Sequence, residues 1–152
     1  MPNAYSHIGL CVTDLERSRR FYEDVFGFRP AFELRTEGPE TPKLLRLEAP
    51  LTLDAVYLWL DGLLLELLAF DRTDRTSSRV MNEPGLTHLS LFVDDLDATI
   101  DAVGQHGGRV RTDTNIGVAV FVEDPDGQAI EVIGPNGQFR GIRDQAVRKL
   151  SE

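Results

Sequence analysis

The sequence predicts an α+β fold made of two similar β-α-β-β-β modules, because its two halves repeat one plan. Residues 7–28, "HIGLCVTDLERSRRFYEDVFGF", match 88–108, "HLSLFVDDLDATIDAVGQHGG": a histidine, an alternating apolar run, Asp-Leu, then a helical stretch closed by glycine. "DGLLLE" at 61–66 likewise matches "DGQAIE" at 126–131. A repeated order of His, helix, Asp-Gly and Glu indicates an internal duplication.

The first strand of each module is indicated by side chains that alternate with a period of two. In 6–12 and again in 88–93, aliphatic residues occupy every second position, the pattern of a half-buried strand. His7 and His88 fall on the face opposite each aliphatic row. Both histidines are therefore predicted to point away from the helix-covered side of their sheets.

A helix follows each first strand. An aspartate at the start and a glycine at the end are typical helix boundaries. The predicted boundaries are Asp14 and Gly27 for a helix over about 15–26, and Asp95 and Gly107 for one over about 96–106.

Three strand-like segments follow each helix, and Asp-Gly pairs at 61–62 and 126–127 indicate turns between consecutive strands. The predicted strands are 43–49, 55–60, 63–69, 109–112, 117–123 and 128–133, with a polar loop at 35–42 and a short tail helix near 142–150. The chain is thus expected to be one domain, 1–152, with module one at 4–70, a charged connector at 71–84, module two at 85–135 and a C-terminal tail at 136–152.

Composition excludes several classes of protein. With 152 residues and 41% hydrophobic content, the chain is long enough to bury a core without disulfides. Cys11 is the single cysteine, so neither an internal disulfide nor a Cys-based zinc site fits, and a cytoplasmic setting is expected. No apolar run is long enough to span a bilayer, and a net charge of −9 disfavours nucleic acid, so no membrane or nucleic-acid partner is expected.

One carboxylate, Glu66, lies among leucines in "LLLELLAF" at 63–70. Burying its charge is costly unless a partner compensates it. If the two sheets curve towards each other, four side chains project into one cleft: His7, Glu66, His88 and Glu131. Two neutral imidazoles, two carboxylates and one divalent cation sum to zero charge, and this ligand set suits Zn, Ni, Co, Mn or Fe rather than Ca.

Each of these residues has an ordinary explanation when it is taken alone. A single histidine on a strand is usually a hydrogen-bonded core or surface residue. Glu66 taken alone fits a charge that protects an edge strand from aggregation. Because both His and Glu recur at matching places of the two halves, a shared metal site is the favoured interpretation, with open positions on the ion for an oxygen-bearing substrate.

The chain resembles the vicinal oxygen chelate superfamily, which includes glyoxalase I, methylmalonyl-CoA epimerase, extradiol dioxygenases, and fosfomycin- and bleomycin-resistance proteins. The resemblance covers residues 4–134 and is carried by "HIGLCVTDLERSRRFYEDVFGF" and by "FVEDPDGQAIEVIG" at 121–134. It implies a glyoxalase-like fold, a homodimer and a small-molecule substrate with vicinal oxygens. It also implies that the four metal positions are His7, Glu66, His88 and Glu131.

Within the superfamily, a His/Glu/His/Glu set resembles glyoxalase I. That resemblance implies a metal-dependent lyase or isomerase, similar to lactoylglutathione lyase, which moves a proton next to a carbonyl through a metal-bound enediolate. By position Glu131 is the expected base, and Glu66 is the alternative proton-exchanging group on the other face of the substrate.

Other members of the superfamily remain alternatives: an acyl-CoA epimerase, an extradiol dioxygenase, or a metal-free antibiotic-binding resistance protein. The epimerase usually has Gln where this chain has Glu66, and its additional catalytic Glu falls at Leu45. The dioxygenases and fosfomycin enzymes use two His and one Glu. Cys11 and Phe70 stand where glutathione-contacting Arg and Asn are found, so the resemblance does not extend to glutathione recognition.

Overall fold

The computed structural model describes residues 3–73, 80–136 and 141–151. The chain forms two compact units, Met1–Ser77 and Ser78–Glu152, each with its own four-stranded sheet. No helix within these described ranges is both long enough and apolar enough to cross a membrane.

The first unit has the order β-α-β-α-β-β, in which the second helix is short. Its sheet has the strand order β1-β4-β3-β2, with β1 parallel to β4 and the other neighbours antiparallel. The elements are β1 Ile8–Cys11, α1 Leu15–Phe26, β2 Arg29–Thr36, α2 Glu40–Leu45, β3 Leu53–Leu60 and β4 Leu63–Phe70.

The second unit repeats this plan without the short helix. Its sheet has the order β5-β8-β7-β6, again with the first strand parallel to its neighbour. The elements are β5 Leu89–Phe92, α3 Leu96–Gln105, β6 Arg109–Val110, a 3₁₀ helix Thr112–Thr114, β7 Ala119–Glu123, β8 Ala129–Ile133 and α4 Ile142–Leu150. The prediction of two β-α-β-β-β modules is therefore confirmed.

Both predicted helix starts are confirmed by their hydrogen bonds. The carboxylate of Asp14 accepts from the backbone N–H of Arg17 at 3.0 Å, and that of Asp95 accepts from Ala98 N–H at 2.9 Å. These bonds satisfy N–H groups that the helix itself leaves unpaired. Gly27 ends α1 in the left-handed conformation, with φ of 74°, which glycine adopts without steric cost.

The predicted strand at 43–49 is wrong. The strand that follows α1 is β2, and residues 40–45 form the helix α2, so the predicted polar loop at 35–42 also overlaps two regular elements. β2 is an edge strand, exposed over most of its length, and it contains Pro30 and an irregular register beside that proline. Because Pro30 weakens the strand signal and leaves only a short alternation of Phe32 and Leu34 with charged residues, the sequence pattern missed this strand.

The core of each unit lies between its sheet and its long helix. In the first unit α1 packs on β3 and β4, and in the second α3 packs on β6 and β7. Among the described residues, the largest fully buried side chains are Val12, Phe21, Tyr22, Val56, Leu58, Leu65 and Leu67 in the first unit, and Val103, Val120, Val122, Ile130 and Val132 in the second.

The two Asp-Gly pairs lie between consecutive strands, as predicted, but in turns of different length. Asp61 and Gly62, both with positive φ, alone connect β3 to β4. The connection from β7 to β8 spans 124–128, where Asp124 Oδ1 accepts from the N–H groups of Asp126 and Gln128. A buried aspartate therefore closes the longer turn.

The buried carboxylate of Glu123 on β7 forms ion pairs with two arginines, one on β6 and one just after it. Glu123 is only 7% exposed, and its two oxygens accept from Arg109 Nε and Arg111 Nε, each at 2.7 Å. Burial opposes ionisation of this carboxyl, but the two guanidinium groups outweigh it and hold the pKa of Glu123 below the ordinary value of 4.5. The cluster should therefore stabilise the fold in its ionised form.

Replacing Glu123 with glutamine is expected to lower the free energy of unfolding by about 1–3 kcal/mol at pH 7, because two arginines lose their charged acceptor. Since the folded-state pKa is depressed, this stability is present above pH 4.5 and is lost as the pH falls through the folded pKa. Urea unfolding from pH 7 down to pH 3 should show the difference from wild type shrinking. Glu33→Gln, which alters an exposed ion pair with Arg19, should cost little at any pH.

Candidate functional site

In the first unit, β4 carries Glu66 between two neighbouring strands. Its register partners are Gly9 on β1 and Tyr57 on β3, and His7 directly precedes β1. This arrangement brings His7 Nε2 to 3.1 Å from Glu66 Oε2. Glu66 is 8% exposed, so a polar partner does accompany the carboxylate that the sequence places among leucines.

The second unit repeats the arrangement. Glu131 on β8 lies opposite Ser90 on β5 and Phe121 on β7, and His88 directly precedes β5. His88 Nε2 lies 3.7 Å from Glu131 Oε2, and the Glu131 side chain is 26% exposed, compared with 10% for that of Glu66. Equivalent strands therefore position an equivalent pair in each half.

In each histidine, Nδ1, the ring nitrogen that does not face the carboxylate, contacts the hydroxyl group of the preceding residue. Ser6 Oγ lies 2.9 Å from His7 Nδ1, and Thr87 Oγ1 lies 2.9 Å from His88 Nδ1. In the tautomer that has its proton on Nδ1, the ring donates to the hydroxyl and leaves the Nε2 lone pair facing the carboxylate, the usual arrangement of a metal-binding histidine. Neither Ser6 nor Thr87 is among the site residues predicted from the sequence, although "SH" and "TH" recur at matching positions.

The Tyr57 hydroxyl donates a hydrogen bond to Glu66 Oε1. Burial, together with this bond and the charge of Glu66, raises the pKa of Tyr57 to about 12. The phenol is therefore protonated near neutral pH and acts as a donor. This hydrogen bond could not be predicted from the sequence, because Tyr57 and Glu66 lie on different strands and meet only through the register of that strand pair.

The hydrogen bond to Glu131 comes from the other neighbouring strand, β5. Ser90 Oγ donates to Glu131 Oε2 at 2.8 Å. Both carboxylates therefore accept one hydroxyl hydrogen bond, but from different neighbouring strands. The alternating pattern at 88–93 places Ser90 on a strand but does not predict which carboxylate it contacts, because that depends on strand register.

The Nε2–Oε2 separation in each His–Glu pair is close to the distance between two ligand atoms on one divalent metal. Two ligand atoms held about 2.1 Å from a metal at right angles are about 3 Å apart. The His7–Glu66 separation of 3.1 Å fits this value, and a small side-chain rotation would bring the His88–Glu131 separation of 3.7 Å to it. Within residues 3–73, 80–136 and 141–151, no group of three or more His, Cys, Asp or Glu side chains lies close enough to hold a metal. The structure thus describes two His–Glu pairs, one in each unit, each with a spacing suited to two metal ligands.

Comparison with known protein families identifies the chain. Residues 4–132 match the model of the Glyoxalase/Bleomycin resistance protein/Dioxygenase superfamily. The chain belongs to this superfamily. The family resemblance and the α+β fold that the sequence predicts are both confirmed.

Relatives within the superfamily have different activities. The lactoylglutathione lyase of Haemophilus influenzae is 33% identical over 148 residues, covering 90% of this chain and 96% of the relative. A glyoxalase family protein from Bacillus cereus has the same fold, with a TM-score of 0.72, 14% identity and coverage of 86% of this chain and 92% of the other. The fosfomycin resistance protein FosX from Listeria monocytogenes, complexed with Mn(II) and sulfate, gives 0.61 at 18% identity, covering 92% of this chain and 98% of that one.

Proposed function

We propose that this superfamily member is a divalent-metal-dependent lyase or isomerase of the glyoxalase I type. The observation that carries the proposal is the repeated pair: His7 with Glu66 and His88 with Glu131, at equivalent register positions of the two sheets. Similarity to lactoylglutathione lyase over almost the whole chain supports it.

The proposed ligands are the two histidines, through Nε2, and the two glutamates, through Oε2. With neutral imidazoles, this set balances the charge of one Zn, Ni, Co, Mn or Fe ion. The hydroxyl groups of Ser6 and Thr87 lie where each can accept a hydrogen bond from Nδ1–H, which is compatible with the tautomer that metal binding requires. When bound, such an ion supplies Lewis-acid stabilisation of negative charge on substrate oxygens.

Glu131 is the base in this proposal. Its carboxylate takes the proton from the substrate carbon that carries a hydroxyl and a thiol sulfur, next to a carbonyl. The electron pair of the broken C–H bond forms a C=C bond, and the carbonyl pair moves onto oxygen. Protonated Glu131 then returns the proton to the former carbonyl carbon. The hydroxyl group on the first carbon loses its proton as it becomes the new C=O, and the negatively charged oxygen on the second carbon takes up a proton, so that the hydroxyl proton is transferred between the two oxygens through solvent. The product is a 2-hydroxy thioester with the same atoms as the substrate.

The different surroundings of the two carboxylates support Glu131 rather than Glu66 as the base. Glu66 is the less exposed of the two and accepts from Tyr57 on the oxygen that faces away from His7. The Glu131 side chain is 26% exposed. A base must reach its substrate proton, and Glu131 has the freer access.

The proposed substrates are adducts of a 2-oxoaldehyde with a thiol, whose carbonyl and hydroxyl oxygens are vicinal. Cys11 is exposed on β1 and Phe70 ends β4. Neither side chain supplies the charge or amide that would hold the carboxylates of glutathione, so thiols other than glutathione belong in the screen. The proposal includes a homodimer, as the family resemblance implies, and a cytoplasmic setting suited to a chain with a single cysteine and therefore no internal disulfide.

The test combines metal analysis with a solvent-exchange assay on the full chain. Protein purified without added metal should contain a stoichiometric transition metal. In D₂O it should convert a 2-oxoaldehyde thiol adduct into a 2-hydroxy thioester with deuterium on the hydroxyl-bearing carbon. The same assay on protein that has been stripped with a chelator and reloaded with Zn, Ni, Co, Mn or Fe shows which ion supports activity.

Three other outcomes would contradict the proposal. Oxygen uptake with a catechol and no solvent exchange would indicate an extradiol dioxygenase. Exchange confined to acyl-CoA thioesters would indicate an epimerase. Full folding with no metal in any preparation would indicate a binding protein.

A further inference from the structure

The two candidate half-sites differ at the aromatic residue that faces each carboxylate. Tyr57 faces Glu66 across β3 and β4, and Phe121 faces Glu131 at the equivalent position of β7 and β8. Each ring meets its histidine edge-on: Tyr57 and His7 have centroids 5.6 Å apart, and Phe121 and His88 have centroids 5.1 Å apart. The aromatic ring is thus common to both halves, while the phenol is confined to the first.

The Tyr57 hydroxyl is held firmly in place. The ring is 8% exposed and stacks on Phe32, with centroids 4.3 Å apart and planes 18° from parallel. The hydroxyl donates to Oε1 of Glu66, whereas Oε2 of the same carboxylate faces His7. The two oxygens of Glu66 therefore have separate partners, which fixes the rotation of the carboxylate.

Glu131 is held in another way. Ser90 and His88 both face its Oε2, at 2.8 Å and 3.7 Å. The first half has Gly9 at the position of Ser90, where a Cβ would lie 3.0 Å from Leu68 Cδ1 and 3.5 Å from Glu66 Oε2. A serine would be crowded there, so the hydroxyl in the first half comes from the other neighbouring strand and reaches the other oxygen.

We propose that Tyr57 is a positioning residue that makes Glu66 a fixed ligand through one oxygen, Oε2, and so leaves proton transfer to Glu131. The inference rests on the proposed metal-dependent function. With Oε1 occupied by the phenol, Oε2 is the oxygen that Glu66 can present beside His7. Partners that orient a metal ligand in this way typically change metal affinity by about 10- to 100-fold.

The test is the affinity of full-length apoprotein for Co²⁺, measured by competition with a chelator, with the visible absorption of bound Co²⁺ as a second readout. Tyr57→Phe should weaken binding by about 10- to 100-fold and change the Co²⁺ spectrum. Phenylalanine already occupies the equivalent position of the other half, so the variant should fold. Tyr5→Phe is the matched control, because Tyr5 is exposed and donates to the Leu64 carbonyl.

A double-mutant cycle shows whether Tyr57 acts through Glu66. In the Glu66→Ala background, Tyr57→Phe should cause no further loss of Co²⁺ affinity, and a further loss of full size would overturn the inference. Wild-type affinity and spectrum in Tyr57→Phe would also overturn it, while the proposed metal enzyme would stand. No Co²⁺ binding by the wild-type chain would overturn the proposed function and the inference together.

Discussion

Replacing His7 with alanine is expected to weaken metal binding by at least about 100-fold, because loss of a ligand should exceed the 10- to 100-fold effect of losing an outer partner. If one ion is shared by both pairs, His88→Ala should have an effect of the same size. If each pair instead bound its own ion, either substitution would remove half of the metal and leave the rest tightly bound. Elemental analysis after dialysis distinguishes these results.

His106 provides the matched control. The chain has three histidines, and His106 caps the C-terminal end of α3 rather than pairing with Glu66 or Glu131. His106→Ala should keep the wild-type metal content. Full retention of metal by His7→Ala and His88→Ala would show that the proposed ligand set is wrong.

Mixing the two ligand variants tests whether the modules pair within one chain or between two chains. In a homodimer whose sites combine module one of one chain with module two of the other, a mixed dimer of His7→Ala and His88→Ala has one intact set of ligands. Metal binding and activity should then be partly restored. Sites formed within each chain would stay damaged in every dimer, with no restoration.

Internal repetition made the fold and the two residue pairs predictable from the sequence. A strand places every second side chain on one face, so a histidine next to an aliphatic row can be assigned to the opposite face. Asp14 and Asp95 act locally, through N–H groups three residues away, and short-range geometry of this kind is visible in a sequence. The matched histidines and glutamates followed from the same repeat.

Features that depend on tertiary context were not predictable. The edge strand β2 is mostly exposed, and its alternating apolar residues Phe32 and Leu34 are exposed rather than packed in the core. The short helix α2 contains two exposed leucines, Leu44 and Leu45, which resemble part of a strand in the sequence. The partners of the carboxylates depend on register between strands that are distant in sequence. Tyr57 and Ser90 could be assigned only after that register was known.

Replacing Glu131 with glutamine is expected to slow solvent exchange into the substrate by about 100- to 10,000-fold, because an amide cannot accept the proton that the carboxylate removes. Glutamine keeps the size and an oxygen ligand, so the assay is run with saturating metal, and bound metal is measured in the same samples. A loss of kcat at full metal occupancy then reports on proton transfer rather than on metal binding.

Glu66→Gln is the matched comparison, since it makes the same change at the equivalent position of the other half. Its main effect should be on metal affinity, with a smaller loss of kcat once metal is saturating, because Tyr57 and His7 hold this carboxylate on both oxygens. If Glu66→Gln instead lowered kcat more than Glu131→Gln did at saturating metal, Glu66 would be the base. Equal losses would mean that both carboxylates exchange protons with the substrate, one on each face, and that the phenol of Tyr57 does not separate their roles.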